Sequence, residues 1–357
     1  MVVESEGAFA HRILRWFDAH ARILPWRNPP GQALPLHDPN WPYRVWLSEI
    51  MLQQTTVTAV KPYFEAFVSR WRSVSALAAS PDGDVMAAWA GLGYYARARN
   101  LLACARAVVR DHGGVFPQTE AELLTLPGVG GYTAAAVAAI AYGGHAVVVD
   151  GNIERVMARI NAVETPMPAA KAELKRLTAD VTPTERSGDF AQAMMDLGAT
   201  ICTPRSPTCL TCPVSDLCAG RTRATDFPVK LAKKPKPHRT GICWWIERGD
   251  AVFLVRRADK RMLGGMRALP SDDWDVRTSS KTQALSGGEL ISTIDHVFTH
   301  FSLTLEIRAL AAETSCIAGL DGEWWPKERI EEAGLPSLFA KAAKRAFMGE
   351  FDVDTGF

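Results

Sequence analysis

Apolar residues in the first 220 positions recur three or four apart, and only beyond residue 240 do they begin to alternate with polar ones. The first spacing lines one face of a helix and the second one face of a strand. Phe9, Ile13, Trp16 and Phe17 predict an opening helix that ends at Leu24-Pro25-Trp26-Arg27. Residues 28–42 carry five prolines and read as a loop. Helices are then predicted over 45–57 (VWLSEIMLQQTTV), around Leu101, Leu102 and Val108, over 119–126, over the alanine-rich 132–142, from Ile153 to Ile160, and over 190–202. Residues 223–240 mix proline with Lys230, Lys233, Lys234 and Lys236 and hold no period, which marks a linker. Beyond it, Ile242–Ile246 and Ala251–Val255 predict a hairpin through Arg248-Gly249-Asp250. A strand is expected over 296–308, with Val297, Phe301, Leu303, Leu305 and Ile307 on one face and Phe298, His300, Ser302 and Thr304 on the other. Residues 327–347 read as one or two helices. The pattern gives a multi-domain chain: an all-α domain over 1–222, a linker over 223–240 and an α+β domain over 241–357.

Composition adds little to that division. At 357 residues, 47% hydrophobic and 22% charged, the chain is ordinary globular material with room for two cores. A net charge of +1 means that any nucleic-acid surface has to come from local clusters of Arg and Lys. The opening stretch has early acidic residues and no unbroken apolar core, and no later stretch reaches transmembrane length, so a cytoplasmic protein with no membrane partner is the expectation. Four of the seven cysteines, Cys202, Cys209, Cys212 and Cys218, crowd into 17 positions. That spacing binds metal and is unlike a secreted disulfide framework.

The chemistry gathers around residues 119–155. Thr119 and Glu122 have capping-box spacing, and the helix they begin stops at Pro127. Gly128-Val129-Gly130-Gly131 then makes a tight turn into the next helix, where backbone N–H groups, unobstructed by side chains at the glycines, suit a phosphate oxygen. An ordinary helix connection fits the turn equally well. Val147-Val148-Val149 leads to Asp150 and Asn152 at the start of another helix, as N-caps or as a carboxylate held beside the turn. Glu49 is embedded among Trp46, Leu47, Ile50, Met51 and Leu52. Buried there, its carboxyl would keep its proton near neutral pH, as a general acid requires; facing solvent, it would be an ordinary helix residue.

LPGVGGYTAAA followed by VVVDGN resembles the helix-hairpin-helix DNA glycosylases, and SEIMLQQT with GLGYYARARNL resembles their adenine DNA glycosylase branch. The resemblance implies that the hairpin, through Gly128 and Gly130, grips DNA, and that Glu49 protonates the departing adenine. Asp150, with Asn152 beside it, would stabilise the sugar cation. Leu52, Gln53, Gln54 and Thr55 would enter the duplex near the orphaned base, and Tyr94 would intercalate. Trp26, Arg27, Tyr132 and Gln192 would line the base pocket. In the endonuclease III branch the position of Tyr132 is a lysine that forms a Schiff base, which a tyrosine cannot do. The cysteine spacing matches the four-iron four-sulfur (4Fe-4S) loop of the superfamily, although thiolates at such spacing also bind zinc.

The C-terminal part resembles the Nudix-like domain of the same branch, where a Phe-Ser-His tripeptide reads 8-oxoguanine; here the match is Phe298-Thr299-His300. No paired-glutamate hydrolase box lies between Gly264 and Gly288. The implied partner is duplex DNA with adenine opposite 8-oxoguanine or guanine, bound by a monomer associated with the nucleoid. Two other readings remain at this point: a bifunctional glycosylase/lyase acting on oxidised pyrimidines, against which Tyr132 argues, and a non-catalytic iron–sulfur DNA-binding or redox-sensing module, against which Glu49 argues.

Overall fold

The structure, a computed structural model, describes residues 2–231, 235–258, 262–272, 274, 285–311, 317 and 320–349. The chain forms two units, Met1–Ser80 with Asn100–Lys233, and Pro81–Arg99 with Lys234–Phe357.

The first unit is helical. Helix α1 (Val2–His20) buries Phe9, Ile13 and Phe17 and leads into the proline-rich loop. Helix α2 (Trp41–Leu52) starts four residues earlier than its apolar pattern predicts, because Pro42 is accommodated in the first turn, where no N–H is needed. It also ends five residues sooner. Gln54 takes a left-handed φ of 56°, and the Thr56 hydroxyl caps α3 (Val57–Arg70), so Gln53 to Thr56 form a connection and not a last helical turn. Helices α4 (Val74–Ala78) and α5 (Asp82–Ala88) follow, the latter within the second unit, and α6 is Ala96–His112.

The hairpin forms where its sequence predicts, although its first helix ends at Leu123, three residues short of the expected Leu126, and turns carry the chain on to Gly128. Thr119 caps α7 (Glu120–Leu123), its oxygen accepting from the Glu122 N–H at 3.3 Å, while its hydroxyl lies 2.7 Å from the Glu122 carboxylate. Gly128 has φ of 71°, and a Cβ added there would lie 2.5 Å from the Cβ of Asn100, so both conformation and space demand glycine. Helix α8 (Gly131–Tyr142) buries every residue from Thr133 to Ala141 and packs against α2, α7 and α11 (Ser187–Thr200). Small residues allow that approach: a Cβ on Gly188 of α11 would lie 2.4 Å from the Ala139 carbonyl oxygen. Helices α9 (Gly151–Ile160) and α10 (Lys171–Val181) complete the bundle, and short 3₁₀ turns carry the cysteine loop.

In the second unit a six-stranded sheet runs β3-β2-β1-β5-β4, with β6 also paired to β2. Its strands are β1 (His238–Arg248), β2 (Ala251–Arg256), β3 (Arg267–Ala268), β4 (Glu289–Val297), β5 (Ser302–Ala311) and β6 (Gly322–Pro326). The β1–β2 hairpin turns at Gly249, as expected, and β1 pairs with β5 in parallel. Helix α12 (Ser337–Gly349) lays Leu338, Phe339, Ala342, Ala343 and Ala346 onto a core that includes Trp245, Leu303, Leu305 and Ile307.

The single strand expected over 296–308 is in fact the end of β4, a turn at 298–301, and β5. Beyond the turn the expected faces hold, with Phe301, Leu303, Leu305 and Ile307 buried together, whereas at Val297 and Phe298 they are exchanged. Val297 is exposed, whereas Phe298 is half-buried, stacked on Trp274 with centroids 5.6 Å apart and packed against Phe301 at 4.8 Å. Period-two alternation carried straight through a four-residue turn loses register, because the turn residues no longer obey it.

Candidate active site

Helix α2 is buried along nine of its twelve residues, so it carries Glu49 into the interior with only 5% of its surface exposed. At the start of α8, Tyr132 turns toward it and its hydroxyl donates to Glu49 Oε2 at 2.5 Å. Burial pushes the Glu49 carboxyl up to about 7; the Tyr132 hydrogen bond opposes the rise, the nearby Asp150 charge adds to it and Arg27 opposes it. The Tyr132 hydroxyl is itself driven far above its ordinary range, first by burial and then by the Glu49 and Asp150 charges, so it remains a donor.

Asp150 is both an N-cap and a cleft residue. Its Oδ1 accepts from the N–H groups of Asn152 at 2.9 Å and Ile153 at 2.8 Å, and its Oδ2 accepts from the Asn152 side-chain amide at 2.8 Å. Burial raises its carboxyl against those hydrogen bonds, which favour the charged form. Asn152 is held from its other side by Arg155, which donates to its Oδ1 at 2.9 Å and to the Gly198 carbonyl at 2.7 Å.

One open cleft is lined by Glu49, Tyr132, Asp150 and Asn152, by Trp26, Arg27, Leu52, Gln53, Gln54, Thr55 and Gln192, and by the hairpin glycines Gly128 and Gly130. Gln192 is buried, not a surface amide, and donates to the Gly188 carbonyl at 3.3 Å. Gln53 ties the end of α2 to α8 through Thr133 at 3.3 Å. Of the residues singled out in the sequence, Tyr94, Phe298, Thr299 and His300 belong to the second unit. Tyr94 is half exposed with φ of 48°, a left-handed conformation it shares with Gln54, whose φ is 56°.

Sequence reasoning missed Asp196 and the arginines Arg22, Arg155 and Arg159. Asp196 is fully buried and receives Arg27 at 2.7 and 2.8 Å, a two-pronged pair, together with the backbone and side chain of Arg22. Burial alone would raise its carboxyl, but Arg27 and then Arg22 outweigh it and hold Asp196 below its ordinary value. One signal was available: Asp196 lies four residues after Gln192, on the same helix face. Arg159 is as deeply buried and donates to the carbonyls of Cys202, Thr203, Pro204 and Phe227 and to Cys202 Sγ at 3.3 Å.

The four loop cysteines, with Val156, Arg159 and Leu197, line one small cavity. Among the described residues no three His, Cys, Asp or Glu side chains form a group that could hold a single metal ion. Four thiols lining a shared space, with N–H groups of Arg159, Val214 and Gly220 directed at sulfur, are a donor set that suits a thiolate-held inorganic cluster.

Residues 47–180 match the HhH-GPD superfamily of base excision DNA repair proteins, and residues 242–345 match the NUDIX domain. The adenine DNA glycosylase of Homo sapiens is 32% identical over 411 residues, an alignment that covers 96% of this chain and 74% of that protein. The adenine DNA glycosylase of Buchnera aphidicola subsp. Acyrthosiphon pisum (strain APS) is 34% identical, with 92% and 94% covered. Among solved structures, a thermostable thymine-DNA glycosylase superposes with a TM-score of 0.53 at 30% identity, covering 61% of this chain and 97% of its own. The chain belongs to the adenine DNA glycosylase family, within the HhH-GPD superfamily of base excision DNA repair proteins.

Proposed function

We propose that this protein is a monofunctional glycosylase that hydrolyses the N-glycosidic bond of adenine opposite 8-oxoguanine or guanine in duplex DNA. The observation that carries the reading is the buried Glu49 carboxyl paired with Tyr132 at the hairpin entrance. With Tyr132 donating to Oε2, Oε1 is left to carry the acidic proton, and a carboxyl raised to about 7 still holds it near neutral pH. Glu49 passes that proton to the extruded adenine, so the base leaves neutral. The sugar is left with oxocarbenium character. Asp150, fixed by two backbone N–H groups and Asn152, supplies the facing negative charge, and water completes the hydrolysis. Gln192, Trp26 and Arg27 line the base pocket, the turn at Gly128 and Gly130 holds a phosphate, and Gln54 and Tyr94 act as wedges in the stack.

The division of labour proposed follows the expected boundaries, with chemistry in residues 1–222 and lesion reading in residues 241–357. Thr299 and His300, exposed in the turn between β4 and β5, are the readers of 8-oxoguanine, while Phe298 supports them from below. Cys202, Cys209, Cys212 and Cys218 would hold a 4Fe-4S cluster. When bound, it supplies a rigid cross-link of the loop and takes no part in the departure of the base.

The test is single-turnover incubation with duplexes carrying adenine opposite 8-oxoguanine, adenine opposite guanine, or thymine glycol, half of each then treated with alkali. Adenine release from the two mispairs, with strand breaks only after alkali and no borohydride-trapped complex, is expected. Trapping comparable to a lyase control, or excision of thymine glycol, would refute the reading.

A further inference from the structure

Glu49 and Asp150 line the active-site cleft together with Arg22 and Arg27, and both arginines are paired with a further carboxylate, Asp196; that pairing decides whether Glu49 can work as an acid. Arg27 lines the same cleft as Glu49, and no ion pair joins them among the described residues. Both of its terminal nitrogens are committed instead to Asp196, at 2.7 and 2.8 Å, and its own side chain is 8% exposed. Arg22 closes on the same carboxylate, Nε to Oδ1 at 2.7 Å and backbone N–H to Oδ2 at 3.1 Å. Asp196 thus has both oxygens doubly occupied, at zero exposure.

The two terminal nitrogens of a guanidinium, used end-on as Arg27 uses them, hold one carboxylate two-pronged at a time. If Arg27 turned its fork to Glu49, Glu49 would become a locked carboxylate with no proton to give. The groups that face Glu49 are Tyr132 from α8, Asp150 from the N-terminus of α9, and Arg27 from the loop after α1. Only Arg27 is a cation. Its allegiance is therefore the variable, and Asp196 on α11 holds it.

Resting on the glycosylase reading above, we propose that Asp196 is a positioning residue that sequesters Arg27, with Arg22, so that Glu49 is left to Tyr132 and stays available as the proton donor. The opposite displacements of the two carboxyls, Asp196 below its ordinary value and Glu49 above, agree with that division. The pair thereby sorts two acids of similar intrinsic strength into a permanent anion and a working acid.

Asp196→Asn tests this in the full-length protein, by single-turnover adenine release from an adenine·8-oxoguanine duplex across the pH range. For the wild type the rate should fall as pH rises through about 7, as Glu49 loses its proton. In the variant the released Arg27 favours the Glu49 carboxylate, and the midpoint of that fall should move toward acid by about one pH unit. Asp196→Glu, which restores the charge, should return the midpoint to the wild-type value. Asp196→Ser, with room for water beside the guanidinium groups, should show the same acid shift and substitutes for the amide variant if that one does not fold. A lower rate or melting temperature with the midpoint unmoved would make Asp196 merely structural and overturn the proposal. No adenine release by the wild type on any mispair would overturn the function reading itself.

Discussion

Replacing Glu49 with glutamine should slow base release severely and, above neutral pH, make the protein more stable. The carboxyl sits at about 7 against an ordinary 4.5, and at about 1.36 kcal/mol for each pH unit that difference is about 3 kcal/mol. The sign follows from proton counting. Between about pH 4.5 and 7 the folded state retains a proton that the unfolded chain has released, so raising pH through that window favours unfolding. Below it Glu49 is neutral in both states and costs nothing. Above it the folded protein carries a buried charge, and the full cost is present. Glutamine keeps the shape and still offers an oxygen to the Tyr132 hydroxyl, but it never ionises. The separation between variant and wild-type melting temperatures should therefore be small at about pH 5 and should grow to roughly 6 to 12 °C by about pH 8.5. Differential scanning calorimetry of both proteins at matched ionic strength measures it. The same variant should bind the mispaired duplex yet lose ~100 to 10,000-fold in single-turnover rate. A melting-temperature separation that stays constant across that pH range would refute the claim that Glu49 is held protonated by burial, whatever happens to the activity.

Gly128→Ala should cost about 2 kcal/mol or more, since it forces a left-handed residue and brings a Cβ to 2.5 Å from Asn100, and urea unfolding would reveal it. Gly130→Ala has open space and an ordinary φ, so it should leave stability unchanged while weakening DNA binding in a titration, because its methyl enters the phosphate cradle. Arg159→Met removes the hydrogen bonds that hold Cys202, Thr203 and Pro204 of the cysteine loop and should yield protein with less iron and weaker brown colour, as Cys209→Ser should; iron analysis and visible absorption after anaerobic purification decide this. Phe298→Ala should lower the melting temperature through lost packing on Trp274 and Phe301, whereas Thr299→Ala should leave it unchanged and reduce the rate ratio between the 8-oxoguanine and guanine mispairs. The reverse pattern would restore Phe298 as the reader.

Those contrasts mark where the sequence was legible. The α7–turn–α8 unit could be read because its devices are local: a cap and its partner three residues apart and a glycine with positive φ; the helix end at Leu123, ahead of Pro127, was not announced by them. Glu49 was legible as a candidate because its neighbours on α2 are apolar at every helical spacing, which leaves few faces for solvent. The end of α2 was not, since Gln54 turns left-handed at a residue type with no strong preference for that conformation, and only its surroundings hold it there. Strand register failed for a related reason at Phe298. Alternation reports a face only while the backbone stays extended, and nothing in Phe-Thr-His-Phe carries the glycine or proline that would have announced a turn.

The charged framework was the least legible, and the cause is distance along the chain. Arg27 and Asp196 are 169 residues apart, and Arg155 meets Cys202 across 47. Each of Arg27, Asp196 and Arg155 looks like a helix or loop charge that belongs in solvent, and each is drawn inward only because another segment brings the opposite charge or a carbonyl to it. Tyr132 and Glu49, 83 residues apart, are linked in the sequence by the family resemblance and by no local rule. Burial raises the Glu49 carboxyl, and what the resemblance could not supply is the reason a guanidinium in the same cleft does not undo that rise. That reason lies in the competition between two carboxylates for Arg27, and it becomes visible only when α11 sets Asp196 against both terminal nitrogens of the guanidinium, leaving Glu49 on α2 to Tyr132.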